Sequence, residues 1–527
     1  MIRLCSACSR LILLTALFFS TSPVARAADA SAASGLNVLA FGADPTGRID
    51  STSAIKQAIE SACSRNSVET PGIISVPSGS YKISGVITIN CSNITITGAG
   101  KGNTTFFPTH AGDVFFAENL GPGPHLYSIN FRDFQIYRTD NPPSGSGIHY
   151  RKVAGGTIDH VAVVGEFSGI EIESSISLFF SDIDPGGDNT TPLSRLWWVH
   201  RAGPNEENPS ENFIVNSNSR ALHRGSYTYG LLLQDTDGFN MANYHLGFTK
   251  GPALEIKAQY PTDIVVGLTF SNGGFDEAQY CIHSTRAPGD TGAREAWNFN
   301  GVLCELSDLD GFHNDDPRLI NVTAVGSAFF LNGRHGVNLS AGSGFKLGQS
   351  IFNANNRENR GGSHVVLSGT VTDVNLDGCS FVRNNGRNPV DYDVILADQA
   401  DQISVQTSKH AGAAKGDIDN RTGGRHIALS ALYSERAENA GTGKSLAGTT
   451  LPIGGSHLAP GSCASGAVAI PGARTDMTAI ASPAAGDAGD GFQIRAFVSE
   501  PGMVIVKVCA LTEAIPATVR YNVRVLE

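Results

Sequence analysis

Short alternations of apolar and polar residues dominate the chain from residue 73 to residue 437. β-Branched and aromatic runs such as Ile94–Thr97 and Val371–Leu376 are each ended by Gly, Pro or Asn. A two-residue period over such short runs is typical of strands with one buried side. Asn and Gly after the strands, as in Phe381–Gly386, tolerate the left-handed conformation that sharp corners need. The pattern predicts a protein built mainly from short strands and tight turns.

One segment near the start has a helical period instead. Asp50–Ser53 offers side-chain oxygens for a helix N-cap. The apolar residues that then fall on one helical face are Ala54, Ile55, Ala58, Ile59 and Ala62. The segment therefore predicts a single amphipathic helix, and the helical period is lost after it.

The strands recur in a regular spacing. From about Ile129 they repeat in units of roughly 25–30 residues, within the range of solenoid repeats, but without a residue-level motif. In a parallel β-helix each coil pairs with the next, so architecture can repeat while sequence does not. We therefore predict an all-β fold, a right-handed parallel β-helix over residues 36–437 with an N-terminal capping helix.

Two stretches depart from this rhythm. The segment Asp184–Tyr229 is rich in Pro, Gly, Asn and Arg, and part of it is predicted to be a long loop on one coil. Residues 438–450 have the Gly, Ala, Ser and Thr composition of a linker. Residues 451–527 end in the alternating runs Gly502–Val508 and Val519–Val525, which predict a small antiparallel β domain.

The first 27 residues have the pattern of a secretory signal peptide. Arg3 and Arg10 precede and flank a short apolar run, Leu11–Phe19, and Ala25–Ala27 is an A-x-A cleavage site. The run is too short to cross a bilayer, and no later apolar stretch is long enough. We expect a secreted or periplasmic protein without a membrane span.

The charge of the chain limits its partners. The formal net charge is −11, and removal of the signal peptide would take away Arg3, Arg10 and Arg26 and make it −14. Nucleic-acid binding requires a basic surface, so we expect no nucleic-acid partner. A strongly anionic polymer is also disfavoured, unless the cleft is locally basic or binds a cation.

The mature chain contains seven cysteines, and export permits disulfides. Among these seven cysteines there is no CxxC motif and no Cys/His cluster with zinc spacing, so we expect no metal and no cofactor. We predict that Cys63 pairs with Cys91 and Cys463 with Cys509. Cys281 and Cys304 lie 23 residues apart, about one coil, so they stack or form a bridge. An odd number leaves one free thiol, which we assign to Cys379 as a small buried residue.

Four ordered motifs resemble a known family. Leu36–Gly47 resembles the FGA-DG opening of pectate-lyase-like β-helix proteins of the rhamnogalacturonase/epimerase type, and Asp50–Ile55 resembles their D-T-AI helix. Val76–Tyr81 is similar to their VPAGTY strand, and Gly98–Gly100 to their GxG turn. The resemblance implies the β-helix fold and a polysaccharide substrate, but no single reaction, because the superfamily includes hydrolases, lyases, epimerases and phage tailspikes. The last strands resemble the C-terminal β modules of tail-fibre-like proteins, which implies a homotrimer.

The chain departs from the best-known members of this superfamily. It has neither the Gly-His-Gly nor the Arg-x-Lys motif of polygalacturonases. Ile158–His160 matches only part of the Trp-Ile-Asp-His strand of pectate lyases. No catalytic residue is therefore carried over from the family, and pectin is not indicated as the substrate.

Acidic residues on successive predicted coils are the candidates for catalysis, because glycoside hydrolysis requires two carboxyl groups. Asp276 and Glu305 are 29 residues apart, about one coil. The three clusters are Asp235/Asp237, Asp276/Glu277 and Glu305/Asp308/Asp310, and from them we predict the catalytic acids Glu277, Glu305, Asp276, Asp308 and Asp237. Asp at a strand end usually serves a turn, whereas Glu is a poor turn former, so Glu277 and Glu305 are favoured. Asp182 and Asp184 are a second candidate pair.

For substrate binding we predict Trp197, Trp198, His283 and Arg286. Indole rings can stack on sugars, but adjacent strand residues face opposite ways, so at most one of the two tryptophans lines a groove. We predict a secreted glycoside hydrolase. One alternative is a lyase acting on a uronate polymer, for which the available basic side chains are Lys257, His283, Arg286, His313 and Arg318. Another is a non-catalytic glycan-binding protein of the tailspike or adhesin kind.

Overall fold

The computed structural model describes residues 35–66, 71–120, 123–382, 388–422, 426–434, 446–484, 491–513 and 515–526. These residues form a parallel β-helix followed by a small antiparallel β module, which confirms the predicted fold class. The predicted signal peptide, residues 1–27, lies outside the described residues.

The N-terminal helical signal is also confirmed. A 3-10 helix, Val38–Phe41, precedes the α-helix α1, Thr52–Cys63, and all five predicted apolar positions of α1 are buried. Asp50 supplies the N-terminal oxygen: its Oδ1 accepts a hydrogen bond from the backbone N of Thr52 at 3.2 Å, whereas Ser51 makes no side-chain cap bond. The helix packs against the first coil of the β-helix, where it covers apolar surface.

The larger sheet, called sheet I, contains 23 parallel strands. Their bounds are β1 Leu36–Asn37, β2 Thr46–Asp50, β3 Gly72–Ser75, β4 Gly79–Ile83, β6 Ile94–Thr97, β7 Thr104–Pro108, β10 Ile129–Tyr137, β13 Thr157–Val164, β15 Phe179–Gly187, β17 Ser210–Ala221, β19 Thr236–Gly247, β21 Val265–Ser271, β22 Gly274–Asp276, β24 Arg294–Asn300, β25 Leu303–Glu305, β27 Leu319–Thr323, β28 Ala328–Phe330, β30 Ser343–Lys346, β31 Ile351–Asn353, β33 Thr372–Asn375, β34 Ser380–Val382, β36 Asp401–His410 and β38 Ile427–Ser434.

The second sheet of the β-helix, called sheet II, contains 13 parallel strands. Their bounds are β5 Ile87–Ile89, β8 Phe115–Glu118, β11 Ser146–Arg151, β14 Ser168–Glu173, β16 Arg195–His200, β18 Tyr229–Leu233, β20 Leu254–Ile256, β23 Ile282–Ser284, β26 Phe312–Asn314, β29 Val337–Leu339, β32 Val365–Leu367, β35 Tyr392–Leu396 and β37 Gly416–Asn420. A short pair, β9 Leu126–Tyr127 and β12 Val153–Ala154, lies beside them.

Half of the segment Asp184–Tyr229 is strand, and it does not contain the single long loop that was predicted for part of it. The end of β15, then β16 and β17, run through it, and the loops between them are short. The prediction was wrong because Pro, Gly and Asn here mark several corners of two coils and not one insertion.

The strands of the C-terminal module are antiparallel. They are β39 Ala447–Thr449, β40 Cys463–Ala469, β41 Thr478–Pro483, β42 Phe492–Glu500, β43 Met503–Ala510 and β44 Tyr521–Leu526. They form two three-stranded sheets around a separate apolar core. β39, which falls within the predicted linker, pairs with β44.

Sheet I bends at a ladder of left-handed residues. Register partners on successive coils adopt φ between 51° and 62°; they are Asp133, His160, Asp182, Asn216, Asn243 and Asn272. Asp and Asn tolerate this conformation because their short polar side chains bond locally. The strand segments before this corner ladder form the first face of sheet I. Those after it, with β2, β4, β7, β22, β25, β28, β31 and β34, form the second face.

Cysteine pairing agrees with the sequence. Cys63–Cys91 and Cys463–Cys509 are disulfides as predicted, and Cys281–Cys304 is a bridge. Cys379 is buried and free, also as predicted. Three disulfides are compatible with an extracellular protein. Among the described residues, no helix combines the length and the apolar character needed to traverse a membrane.

Candidate active site

One of the rows of outward side chains on the second face of sheet I contains two of the predicted acids. Alternate residues of a strand point outward, and parallel register stacks them from coil to coil. The members of this outer row, in order along the helix, are Phe107, Tyr137, Val164, Gly186, Gly247, Asp276, Glu305, Phe330 and Asn353, with β17 contributing one further position between Gly186 and Gly247.

Asp276 and Glu305 are neighbours in this row. They are register partners on β22 and β25, so their backbones are about 4.8 Å apart. The Nε2 of His245 lies 2.9 Å from Oδ2 of Asp276. The other carboxylate oxygen, Oδ1, is buried and accepts no hydrogen bond within the described chain. Asp276 therefore has one oxygen held by an imidazole and one left without a donor.

Glu305 has a proton affinity higher than usual. Burial raises its pKa, the charges of Asp276 and Glu277 raise it further, and His245 opposes the shift. Desolvation and like charge both favour the neutral acid. Glu305 is thus suited to donate a proton beside a second carboxylate.

Glycine makes room for this arrangement. A Cβ on Gly247 would lie 1.8 Å from Oδ1 of Asp276. Further toward the N-terminus, Gly186 and Gly187 help to line an open cavity of about 290 Å³ together with Asn218 and Phe248. In the outer row, Gly186 and Gly247 are glycines, and Arg220 of β17 is the register position between them.

The second predicted pair, Asp182 and Asp184, lies near this cavity. The Nζ of Lys101 is 3.0 Å from Asp182 and 2.8 Å from Asp184, and Asp184 also lines the cavity. Lys101 forms ion pairs with both carboxylates, so Asp182 and Asp184 have a structural role at the side of the cavity.

Of the five predicted acids, three come together. Glu277 follows Asp276 at a corner with φ 43°, and its backbone N donates to the carbonyl O of Glu305 at 3.3 Å. Asp308 lies beyond the next corner, where it forms ion pairs with Arg224 and Arg357. Asp237 is exposed on the first face, as the register partner of Val266. Asp308 and Asp237 are therefore apart from the outer row.

The tryptophans have different environments. Trp197 is fully buried, and its Nε1 donates to Ser219 Oγ at 2.7 Å, which fits an internal packing role. Trp198 faces outward on sheet II, with the Arg195 guanidinium 3.6 Å from its ring and His200 stacked at 3.8 Å. At most one of the two thus lines a surface, as predicted, and that surface is not the outer row.

His283 and Arg286 also belong to the side of sheet II. The Nδ1 of His283 lies 2.6 Å from Glu255, and its ring stacks on Tyr280 at 4.4 Å. Arg286 donates to the backbone O of Asp290 at 3.1 Å. The predicted binding residues and the predicted acids therefore lie on different sheets.

Sheet II carries an ionic cluster that the sequence analysis missed. His149 lies 2.9 Å from Asp113 through Nδ1 and 2.9 Å from Glu173 through Nε2. His200 Nε2 lies 2.9 Å from Glu171. The signal was present in the alternation Glu171-Ile172-Glu173, which places both carboxylates on one side of a strand.

The charges in this cluster stabilise one another. Burial lowers the pKa of His149, but Glu171, Asp113 and Glu173 outweigh it and raise the pKa to about 10. Burial raises the pKa of Glu171, but His149 and His200 lower it to about 2. Ligand atoms of Asp113, His149 and Glu171 lie within 4.8 Å of one another, a spacing that suits a cation, but protonated His149 supplies the positive charge. The cluster is a closed ion network at neutral pH.

Comparison with known proteins agrees with this architecture. Residues 35–184 match the family model described as rhamnogalacturonase A/epimerase, pectate lyase-like. The matched segment forms the first coils of the β-helix. It ends before Asp276 and Glu305, so the match does not concern those acids.

Two solved structures with TM-scores above 0.5 show the same fold at low identity, and a third has a lower score. The tailspike protein of E. coli bacteriophage HK620, solved with a pentasaccharide, is 10% identical, with 93% of each chain covered and a TM-score of 0.57. An N-terminal fragment of the bacteriophage Phi29 gene product 12 is 14% identical over 76% of this chain and 72% of its own, with a TM-score of 0.54. The catalytic unit of a GH87 α-1,3-glucanase from Streptomyces thermodiastaticus is 13% identical over 76% of this chain and 69% of its own, with a TM-score of 0.49. No curated protein matches the chain in sequence.

Proposed function

We propose that the protein is a secreted glycoside hydrolase, with Glu305 as the proton donor and Asp276 as the second carboxylate. The observation that carries the proposal is the register pairing of these two acids, one of which has a raised pKa. Two titratable groups with different environments are the usual means of assigning acid and base roles.

The spacing favours a covalent intermediate. The backbones of the two acids are about 4.8 Å apart, and side chains that extend side by side from this spacing would place the carboxyl groups nearer the ~5–5.5 Å of retaining enzymes than the ~6.5–9.5 Å of inverting ones. Glu305 gives its proton to the leaving glycosidic oxygen while the carboxylate of Asp276 bonds to the anomeric carbon. Glu305 then takes a proton from water, whose oxygen displaces Asp276. His245, whose Nε2 lies 2.9 Å from Asp276 Oδ2, orients that carboxylate.

The charge of the groove bears on the substrate class. Asp276, Glu277 and Glu305 lie together, and the Asp184 carboxylate nearby is offset by Lys101. A polyuronate would be repelled by such a surface. An uncharged polysaccharide fits it, and the likeness to a tailspike solved with a pentasaccharide is consistent with a glycan ligand.

A panel of neutral and acidic polysaccharides tests the proposal, with release of reducing ends as the readout. We expect Glu305→Gln and Asp276→Asn each to lower kcat by roughly 10²–10⁴-fold. Asp237→Asn, an exposed acid on the first face, is the matched control and should keep the wild-type rate. Wild-type activity in Glu305→Gln, or no cleavage of any polymer by the wild-type chain, contradicts the proposal.

A lyase is the second candidate, and Arg195 on sheet II favours it. Its guanidinium is buried, lies over the rings of Phe167 and Trp198, and donates to Ser168 and Leu193 but to no carboxylate within the described chain. Burial lowers its pKa to about 10. Such a cation can neutralise a uronate carboxylate during elimination. Formation of unsaturated sugar, detected by ultraviolet absorbance and abolished in Arg195→Gln, would identify this reaction.

A further inference from the structure

Two aromatic rings are exposed at the N-terminal end of the outer row. Phe107 is 36% exposed and Tyr137 is 39% exposed. Their ring centroids are 6.0 Å apart and their planes meet at 77°. Exposed single apolar residues are common, but two adjoining rings offer a surface on which the apolar face of a sugar can pack.

The pair is continuous with the carboxylates. From Tyr137 the register passes through Val164, Gly186, β17 and Gly247 to Asp276, which is five strand spacings. At about 4.8 Å for each strand, the distance along the helix is roughly 24 Å. A stretched oligosaccharide is long enough to span it.

The surface between the two ends is open and low. Val164, Gly186 and Gly187 line the open cavity described above. Beside the aromatic pair, Gln135 donates to Thr105 at 2.7 Å, so uncharged polar groups border the rings. Uncharged donors and acceptors beside aromatic faces suit neutral sugars.

We infer that Phe107 and Tyr137 form a remote binding subsite for an extended, uncharged polysaccharide whose scissile bond lies at Asp276 and Glu305. This inference rests on the proposed function of the same row. It assigns the polymer a direction along the helix axis. It also requires substrates long enough to reach both ends to be bound more tightly than short ones.

A second exposed aromatic pair provides a matched control. Phe179 and Phe213 are register partners, 48% and 43% exposed, but they lie on the first face, across the corner ladder from the outer row. Their rings have similar size and accessibility without continuity to the carboxylates. Removing them should leave binding along the outer row unchanged.

The test measures polymer binding by calorimetry on a Glu305→Gln background, so that cleavage does not interfere, with circular dichroism to confirm folding. We expect the double variant Phe107→Ala/Tyr137→Ala to weaken binding of a responsive neutral polysaccharide about tenfold. Phe179→Ala/Phe213→Ala should bind as the parent does. With the catalytic chain, the first double variant should raise KM for the polymer but not for a short oligosaccharide.

The outcomes separate this inference from the proposed function. If the Phe107/Tyr137 variant binds polymer as tightly as the parent while Glu305→Gln is inactive, the subsite is wrong and the hydrolase stands. If Glu305→Gln cleaves like wild type while polymer binding still depends on the two rings, the subsite stands and the catalytic assignment fails. Equal losses in both double variants overturn the inference, because they would reflect general surface effects.

Discussion

Asp276 and Glu305 are register partners on consecutive parallel strands, although 29 residues separate them in the chain. A third residue, His245, comes from the preceding coil and lies 2.9 Å from Asp276. The pair therefore depends on the stacking of three coils. Substitutions in any of these three coils should therefore change the activity that depends on Asp276 and Glu305.

The pH profile should depend on the neighbours of Glu305. As the proton donor, Glu305 must be protonated, so activity falls as pH rises and the acid loses its proton. The raised pKa of Glu305 moves this fall to higher pH. Glu277 raises this pKa and His245 lowers it. In profiles of kcat/KM against pH, we expect Glu277→Gln to move the alkaline limb to lower pH and His245→Gln to move it higher. A loss in Glu277→Gln as large as in Glu305→Gln would instead make Glu277 the proton donor.

Gly247→Ala should disable the site by displacing Asp276. The added Cβ would lie 1.8 Å from Asp276 Oδ1 and 2.5 Å from its carbonyl O. We expect a loss of kcat of at least tenfold and a destabilisation of about 1–3 kcal/mol, as for other overpacked positions. Gly274→Ala on β22 is the control, since its nearest contact would be 3.6 Å. Equal activity in the two variants would show that the position of Asp276 is unimportant.

The ionic cluster on sheet II should make stability dependent on pH. His149 has a pKa raised to about 10, so its contribution is complete below its ordinary value of 6.5 and is lost as pH rises toward 10. Glu171 has a pKa lowered to about 2, so its contribution is present above 4.5 and is lost as pH falls toward 2. Denaturant unfolding should therefore give the largest free energy of unfolding between about pH 4.5 and pH 6.5, with losses toward pH 2 and pH 10.

Substitution tests the same cluster. We expect His149→Gln to lower the free energy of unfolding at pH 7 by about 3 kcal/mol, because it leaves buried carboxylates without their partner. His223→Gln, whose side chain is 75% exposed beside Asp188, should change it by less than about 1 kcal/mol. If both variants change the free energy of unfolding by a similarly small amount, the cluster makes no net contribution to stability.

Trp197 should contribute to stability and not to substrate binding. It is fully buried, so Trp197→Ala should cost about 3–5 kcal/mol of unfolding free energy. Trp198→Ala, at a partly exposed ring on sheet II, should cost less. Thermal unfolding and KM measured on the same preparations distinguish the roles. A raised KM without loss of stability in Trp197→Ala would contradict the packing role.

The fold was predictable because its signals are local. The residues of α1, the short strands and the motifs at Leu36–Gly47 and Val76–Tyr81 each specify structure within a few positions. The spacing of Cys281 and Cys304, one coil apart, left open whether they stack or form a bridge, and the structure shows the bridge. The separation of 29 residues between Asp276 and Glu305, about one coil, likewise predicted that the two acids lie on neighbouring coils.

The remainder of the site required the register of the coils. The environment of Asp237 and Asp308 depends on which side of a corner each residue lies, and the sequence has no repeat motif to show this. His245 and Gly247 are unremarkable in sequence, and only stacking against β22 brings them to Asp276. The His149 cluster likewise combines three strands of sheet II.

The corner ladder has a consequence for how such a chain can change. Because one left-handed residue lies at the corner of sheet I in each of the six coils from Asp133 to Asn272, the outer row stays aligned through these coils. Insertion or deletion of one whole coil between Tyr137 and Asp276 would change their separation by about 4.8 Å and leave both ends intact. The β-helix would then act as a molecular ruler, in which the number of coils sets the length of glycan that is held before it is cut.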